Sequence, residues 1–185
     1  MRNYSLNNFL KSIKYNPRMK KRIAVAFTGP SNSGKTTLIL KLARKLIHEH
    51  GKEVAIIKHD PKDKARFDVE GKDSYKFTDT GAEVIVTSPT RTTYFSNRHK
   101  ELDEMIRVFG EFDILLVEGL KSLPLPRISV FRNSLDEGYF NYMDALAVDD
   151  TIDLKKYEIP KDVAILDLNN TDEVIAWIFK NAKEV

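Results

Sequence analysis

Apolar residues in this chain fall into short runs that alternate with stretches of helical spacing. Ile23 to Phe27 is an unbroken apolar run rich in β-branched residues, the pattern of a strand buried on both faces. From Lys35 to His50, the residues Ile39, Leu42, Ala43, Leu46 and Ile47 recur at helical spacing, and Gly51 is placed to cap the helix. A second strand is expected at Val54 to Ile57. The polar stretch HDPKDKARFDVEGKDS then leads to a short helix at Asp73 to Thr80. Further strands are expected at Glu83 to Thr87 and Thr92 to Phe95, followed by a helix over 98–109 through Leu102, Met105, Ile106 and Phe109. Phe112 to Val117 is the most apolar strand. After LPLP come strands at Ile128 to Phe131, Ala145 to Val148 and Val163 to Leu166. A last helix at Asp172 to Ala182 is capped by Asn170 or Thr171.

Strands alternating with helices at this spacing predict an α/β fold, a mostly parallel sheet with helices on both faces. The proline-flanked strand at 128–131 is expected to be antiparallel or at an edge. Residues 1–20 read as an N-terminal extension, joined through Pro17 and the basic cluster Arg18, Lys20, Lys21 and Arg22 to one nucleotide-binding domain over 21–185.

Composition narrows the function classes. Of the 185 residues, 42% are hydrophobic and 31% charged, a globular balance. The net charge of +3 implies no strong field for nucleic acid. With no cysteine, disulfides, thiolate zinc sites and cysteine nucleophiles are excluded. No apolar run reaches the roughly 18–20 residues that span a bilayer. The first twenty residues contain no apolar segment of an export signal, so a cytoplasmic protein is expected.

The chemistry begins at Gly29-Pro30-Ser31-Asn32-Ser33-Gly34-Lys35-Thr36, which fits G-x-x-x-x-G-K-[ST] between a buried strand and an amphipathic helix. In such a loop the glycines let successive N–H groups turn inward toward phosphate oxygens. The free amides and positive dipole end of the following helix add to that field. Lys35 is expected to reach the terminal phosphates and Thr36 to ligate Mg²⁺. A carboxylate at the tip of a neighbouring strand completes such a site. Asp113 and Glu118 compete for this role in FDILLVEGLK, about 16 Å apart at the usual strand rise. Ligands in open parallel sheets sit beyond the carboxyl ends of strands, which selects Glu118.

By the same geometry Lys58, His59 and Asp60 close the second strand, Asp60 as a water-mediated Mg²⁺ ligand and Lys58 against a phosphate. Asp68 and Lys72 lie in a polar loop suited to a switch or a second ligand contact. Asp149, ending the strand at 145–148, is a position for accepting hydrogen bonds from a guanine edge. Asn169-Asn170-Thr171-Asp172 reads as a helix cap, since it lacks the lysine of N-K-x-D. The base, GTP or ATP, stays open on these grounds.

Taken together, GPSNSGKTTL, KHD, FDVEGKDSYKF with TGA beyond it, and DILLVEGLK resemble the molybdopterin-guanine dinucleotide biosynthesis protein B family, from about Arg22 onward. The resemblance implies a dimeric, cytoplasmic GTP-binding protein with weak GTPase activity. It also implies Mg²⁺ as cofactor and, as partner, the nucleotidyltransferase that attaches GMP to molybdopterin, with molybdopterin itself a further candidate ligand. It assigns Gly29, Gly34, Lys35, Thr36 and Thr37 to the nucleotide and Glu118 to the second acidic position. One departure is Pro61-Lys62, where members often carry further histidines. Two rivals share the same loop: a small-molecule kinase using Arg91, Arg98 or Arg127, and a nucleotide-gated scaffold without hydrolysis.

Overall fold

A computed structural model describes residues 21–185, in two compact units: 21–57 with 112–185, and 58–111. The extension over 1–20, with Arg18 and Lys20 of the basic cluster, lies outside the described residues. Of the same cluster, Lys21 pairs with Glu184 at 3.3 Å and Arg22 stands over the Phe112 ring.

The first unit is built on a seven-stranded sheet. Its strands are β1 (Ile23–Thr28), β2 (Val54–Lys58), β5 (Ile114–Glu118), β6 (Arg127–Phe131), β7 (Ala145–Val148), β8 (Ala164–Asp167) and β9 (Lys183–Glu184). They run in the order β2-β5-β1-β6-β7-β8. β1 pairs in parallel with β5 and with β6, and the parallel ladder continues through β7 to β8. β9 adds antiparallel to the first two residues of β1, Ile23 and Ala24, leaving Ala26 to Thr28 for β6. This chain-end strand has no period of its own in the sequence and was not expected.

Helices α1 (Lys35–His48) and α4 (Thr171–Asn181) cover one face. Leu38, Leu42, Leu46, Val174 and Ile178 pack there on Val25, Phe27, Leu116, Ile128 and Val130. Each such side chain contributes about 1.5–3 kcal/mol by leaving water, so the helix that carries the loop residues is firmly seated. Across β6 and β7 the other face is covered by two short 3₁₀ segments, Glu137–Tyr142 and Leu154–Lys156. Tyr139, Phe140 and Leu154 pack there on Phe131, Leu146 and Val148.

The strand at 127–131 corrects the expectation that it is antiparallel or at an edge. It is parallel, lies between β1 and β7, and is buried along its whole length. Both prolines precede it, so no rung of the ladder lacks its donor. The carbonyl of Pro126 even accepts from Ala26 N at 2.9 Å.

The second unit holds α2 (Asp73–Asp79), the antiparallel pair β3 (Val84–Thr87) and β4 (Thr92–Phe95), and α3 (Leu102–Phe109). The pair forms its own two-stranded sheet. Glu83, one residue before β3, accepts from Ser96, Arg98 and Lys100 beyond β4 and so clips the hairpin's open end. This use of Arg98 and Lys100 also explains why the helix begins only at Leu102, with Glu101 and Glu104 forming its capping box.

Candidate nucleotide site

Strand β1 ends at Thr28, and the chain turns through Gly29 to Gly34 before α1 begins. Two glycines are required for different reasons. A Cβ on Gly29 would stand 2.3 Å from the Val130 carbonyl oxygen, and Gly29 has φ +134°; backbone meets backbone there. Gly34 has φ +94° and ordinary clearance, so its constraint is conformational. Asn32 is also left-handed, at φ 63°. Helix α1 has no acidic residue in its first turn and no side-chain cap, so the positive end of its dipole and its free amides are not neutralised from within.

Lys35 folds back across the loop. Its ammonium donates to Gly29 O at 2.9 Å, Pro30 O at 2.6 Å and more loosely to Ser33 Oγ at 3.5 Å. The charge therefore lies over the loop its own backbone encloses. Thr36, one residue on, points its hydroxyl at Glu118: Oγ1 is 3.4 Å from Oε1 and 3.5 Å from Oε2. Glu118 ends β5 opposite Phe27, and Gly119 N donates to Phe27 O at 3.0 Å.

The Thr36–Glu118 separation tests the fit to Mg²⁺. Oxygens at about 2.0–2.1 Å from an octahedral ion lie roughly 3 Å apart when adjacent, close to what is seen. No group of three or more His, Asp or Glu that could hold an ion occurs among the described residues.

Asp113, the rival acid, sits at the opposite end of β5. It is 9% exposed, its Oδ2 accepts from Glu53 N at 2.9 Å, and its own N–H donates to Glu53 O at 2.8 Å. It stitches β5 to the start of β2. Arg127, one of the kinase candidates, is likewise internal: it is buried and donates to the carbonyls of Lys121 and Leu123.

The structure gives Asp149 another occupation than a guanine contact. Its Oδ2 takes Arg132 Nε at 2.7 Å, and its Oδ1 takes the Thr151 hydroxyl and amide. The Thr151 hydrogen bond, ahead of the Arg132 charge, holds this carboxyl below the usual range. Arg132 is the residue that sequence reasoning missed. It lines a hollow of about 290 Å³ over the loop together with Asn32, Ser33, Lys35 and Thr37. A small neighbouring hollow shares Gly34, Thr37 and Arg132 and adds Leu168 and Asn169. A larger one of about 490 Å³ shares Asn169 and is walled by Asp149, Asp150, Asp167 and Glu173. Another cavity, of about 530 Å³, lies elsewhere, at Arg127, Asp144 and Val163 where β6, β7 and β8 begin.

The remaining sequence candidates lie in or at the edge of the second unit. Asp60 is not presented as an open ligand: its carboxylate is wrapped by the amides of Lys62, Lys64 and Ala65. The Ala65 bond is foremost in lowering its pKa. Asp68 accepts from Val69 N and Ser74 Oγ, Lys72 precedes α2, and Lys58 and His59 are exposed.

A mostly parallel sheet with a glycine-rich loop between β1 and α1, and an acid at the end of the next strand, defines a P-loop NTPase fold. The family model for molybdopterin guanine dinucleotide synthesis protein B (MobB) matches residues 24–149. A molybdopterin-guanine dinucleotide biosynthesis adapter protein of Haemophilus influenzae is 32% identical over 162 residues, covering 83% of this chain and 86% of that protein. The crystal structure of Bacillus subtilis MobB superposes with a TM-score of 0.68 at 24% identity, covering 87% of this chain and 98% of that one. A MobB homologue from Bacillus stearothermophilus gives 0.62 at 20% identity, covering 85% and 95%. The chain belongs to the MobB family. Among the described residues, no helix is long and apolar enough to cross a membrane.

Proposed function

We propose that the chain binds GTP with Mg²⁺ on the loop from Gly29 to Thr37, hydrolyses it slowly, and serves as an adapter in molybdopterin-guanine dinucleotide biosynthesis. In that role it would assist the nucleotidyltransferase that transfers GMP to molybdopterin, in the cytoplasm. The observation that carries the nucleotide reading is Thr36 facing Glu118 at 3.4 Å beside the Lys35 ammonium. The pathway role rests on the family and on the name of the Haemophilus influenzae relative.

The chain's own groups have separable tasks in this reading. Loop amides and the α1 N-terminus take phosphate oxygens, and Lys35 exchanges its carbonyl partners for the terminal phosphates. Thr36 and Glu118 would hold the metal, which when bound would neutralise charge developing on the transferred group. Slow turnover fits the placement of Arg132, which stands beside the loop on the β6 side while Glu118 stands on the β5 side. The acid-walled hollow at Asp150, Asp167 and Asn169 favours a base that presents N–H donors on one edge, as guanine does.

Homodimerisation is supported by the second unit. A lone two-stranded sheet is marginal in water, and this one exposes Ile85 (63%) and Val86 (44%). The two point to opposite faces of the pair, and a second copy seated on one face would cover the more exposed of them, Ile85.

The test is a titration of GTP and ATP in Mg²⁺ with wild type and Lys35→Ala, with mass measured by light scattering. Tight GTP binding that Lys35→Ala abolishes, in a particle of twice the chain mass, is the expected result. Unchanged binding in Lys35→Ala would remove the site assignment, and an ATP preference would remove the base.

A further inference from the structure

Glu118 and Arg132 stand on opposite flanks of the phosphate loop. The loop continues β1; β5, on one side, ends in Glu118, and β6, on the other, ends at Phe131, so that Arg132 is the first residue past it. From this arrangement we infer that Arg132, oriented by Asp149, grips the phosphate nearest the sugar of the bound nucleotide, rather than the terminal one. The inference rests on the nucleotide reading above.

Direction comes from the metal pair. Thr36 and Glu118, the residues that would hold Mg²⁺, lie toward β5, and a metal held there would neutralise the terminal phosphates. The polyphosphate then runs away from β5, across the loop, toward β6. On that side the hollow over the loop is bounded by Arg132, and the small hollow beyond it joins Arg132 to Thr37 and Asn169. The sugar-proximal phosphate is the group that this course brings to the guanidinium.

Orientation comes from the carboxylate. Asp149 has a side chain only 5% exposed, and it takes Arg132 Nε at 2.7 Å while Thr151 holds its other oxygen. The Arg132 side chain, by contrast, is 43% exposed. Its stem runs beside the loop, with Cδ 3.7 Å from where a Gly34 Cβ would stand. A guanidinium pinned at Nε keeps both terminal amino groups for a second partner, and its planar fork suits phosphate oxygens. Asp149 is thus a positioning residue, and it removes rotamer freedom that Arg132 would otherwise lose on binding.

The test compares Mg²⁺-GTP and Mg²⁺-GDP affinities of wild type, Arg132→Gln, Arg132→Lys and Asp149→Asn, with thermal melting of each protein without nucleotide. Arg132→Gln should weaken GTP and GDP by the same factor, about tenfold or more, the scale of a charge-assisted hydrogen bond lost. Its melting temperature should fall, because the Asp149 carboxylate loses its cation, and the affinities are read at temperatures where the protein stays folded. Arg132→Lys should recover part of the affinity for both nucleotides, and Asp149→Asn should weaken both by a smaller common factor. Loss confined to GTP would overturn the inference in favour of a terminal-phosphate contact, and unchanged affinities would reduce the pair to a structural pin. Failure of wild type itself to bind either nucleotide would defeat the underlying functional reading, and the inference with it.

Discussion

Thr36 Oγ1 stands 3.4 Å from Glu118 Oε1, although 82 residues separate them in the chain. Two strand-to-loop transitions create the contact: α1 begins one residue before Thr36, and β5 ends on Glu118 beside Phe27 of β1. At 3.4 Å the hydrogen bond between hydroxyl and carboxylate is weak, and on the proposed reading the two oxygens would share an ion.

Glu118→Gln should therefore act through the metal. Nucleotide affinity in Mg²⁺ is expected to fall about tenfold or more, while affinity measured in EDTA stays that of wild type. Isothermal titration in both buffers checks this, and an equal loss in the two would mean that Glu118 does not serve the ion.

Asp113 supplies the contrasting case on the same strand. Asp113→Ala removes the part-buried hydrogen bond from Glu53 N to the carboxylate, which costs about 1 kcal/mol, the net worth of a typical hydrogen bond. Urea unfolding should show that loss, with nucleotide affinity in the folded protein unchanged. An affinity defect without a stability defect would reverse the assignment of the two acids.

Gly29→Ala should damage both stability and binding. The added methyl would meet the Val130 carbonyl oxygen at 2.3 Å, from a residue at φ +134°. Neither the β6 backbone nor the loop can yield cheaply, so roughly 1–3 kcal/mol of destabilisation is expected. Gly34→Ala, with no contact closer than 3.7 Å, should keep more of its stability. Denaturation midpoints of the two variants decide the order.

Much of this site was legible because its signals are local. The loop's spacing, the buried run before it and the periodic apolar face of α1 sit within about thirty residues. Glu118 followed from one rule, that ligands collect at the carboxyl ends of parallel strands. The same rule would have found Arg132, but the prolines before Arg127 suggested an edge or antiparallel strand, whose last residue would then lie away from the ligand side. Asp60 is a different case. Its strand-end position is open in sequence, while the bonds that claim its carboxylate come from the loop's own fold two to five residues on. Asp149 was placed correctly at a strand end, but its partners Arg132 and Thr151 come from other turns, and only the packed chain shows them.

The hairpin of the second unit carries a pH prediction. Glu83 accepts from Lys100 at 2.8 Å and from Arg98 at 2.5 Å, and these bonds, Lys100 first, hold its carboxyl far below the ordinary value of 4.5. Folding thus lowers this pKa, so the folded hairpin binds fewer protons than the unfolded one wherever the two differ in titration. The contribution is fully present above about pH 4.5 and is lost as pH falls toward the folded value, well into the acid range. Protection factors at the β3 and β4 amides, exchange corrected for its intrinsic pH dependence, should hold from neutrality down to about that pH and fall below it. In Glu83→Gln, protection should be low at neutral pH and change little with acidification, because the neutral amide loses the charge that Lys100 and Arg98 share. A variant that tracks wild type through the acid range would mean that the hairpin is closed by its cross-strand pairs alone and that Glu83 is not its clip.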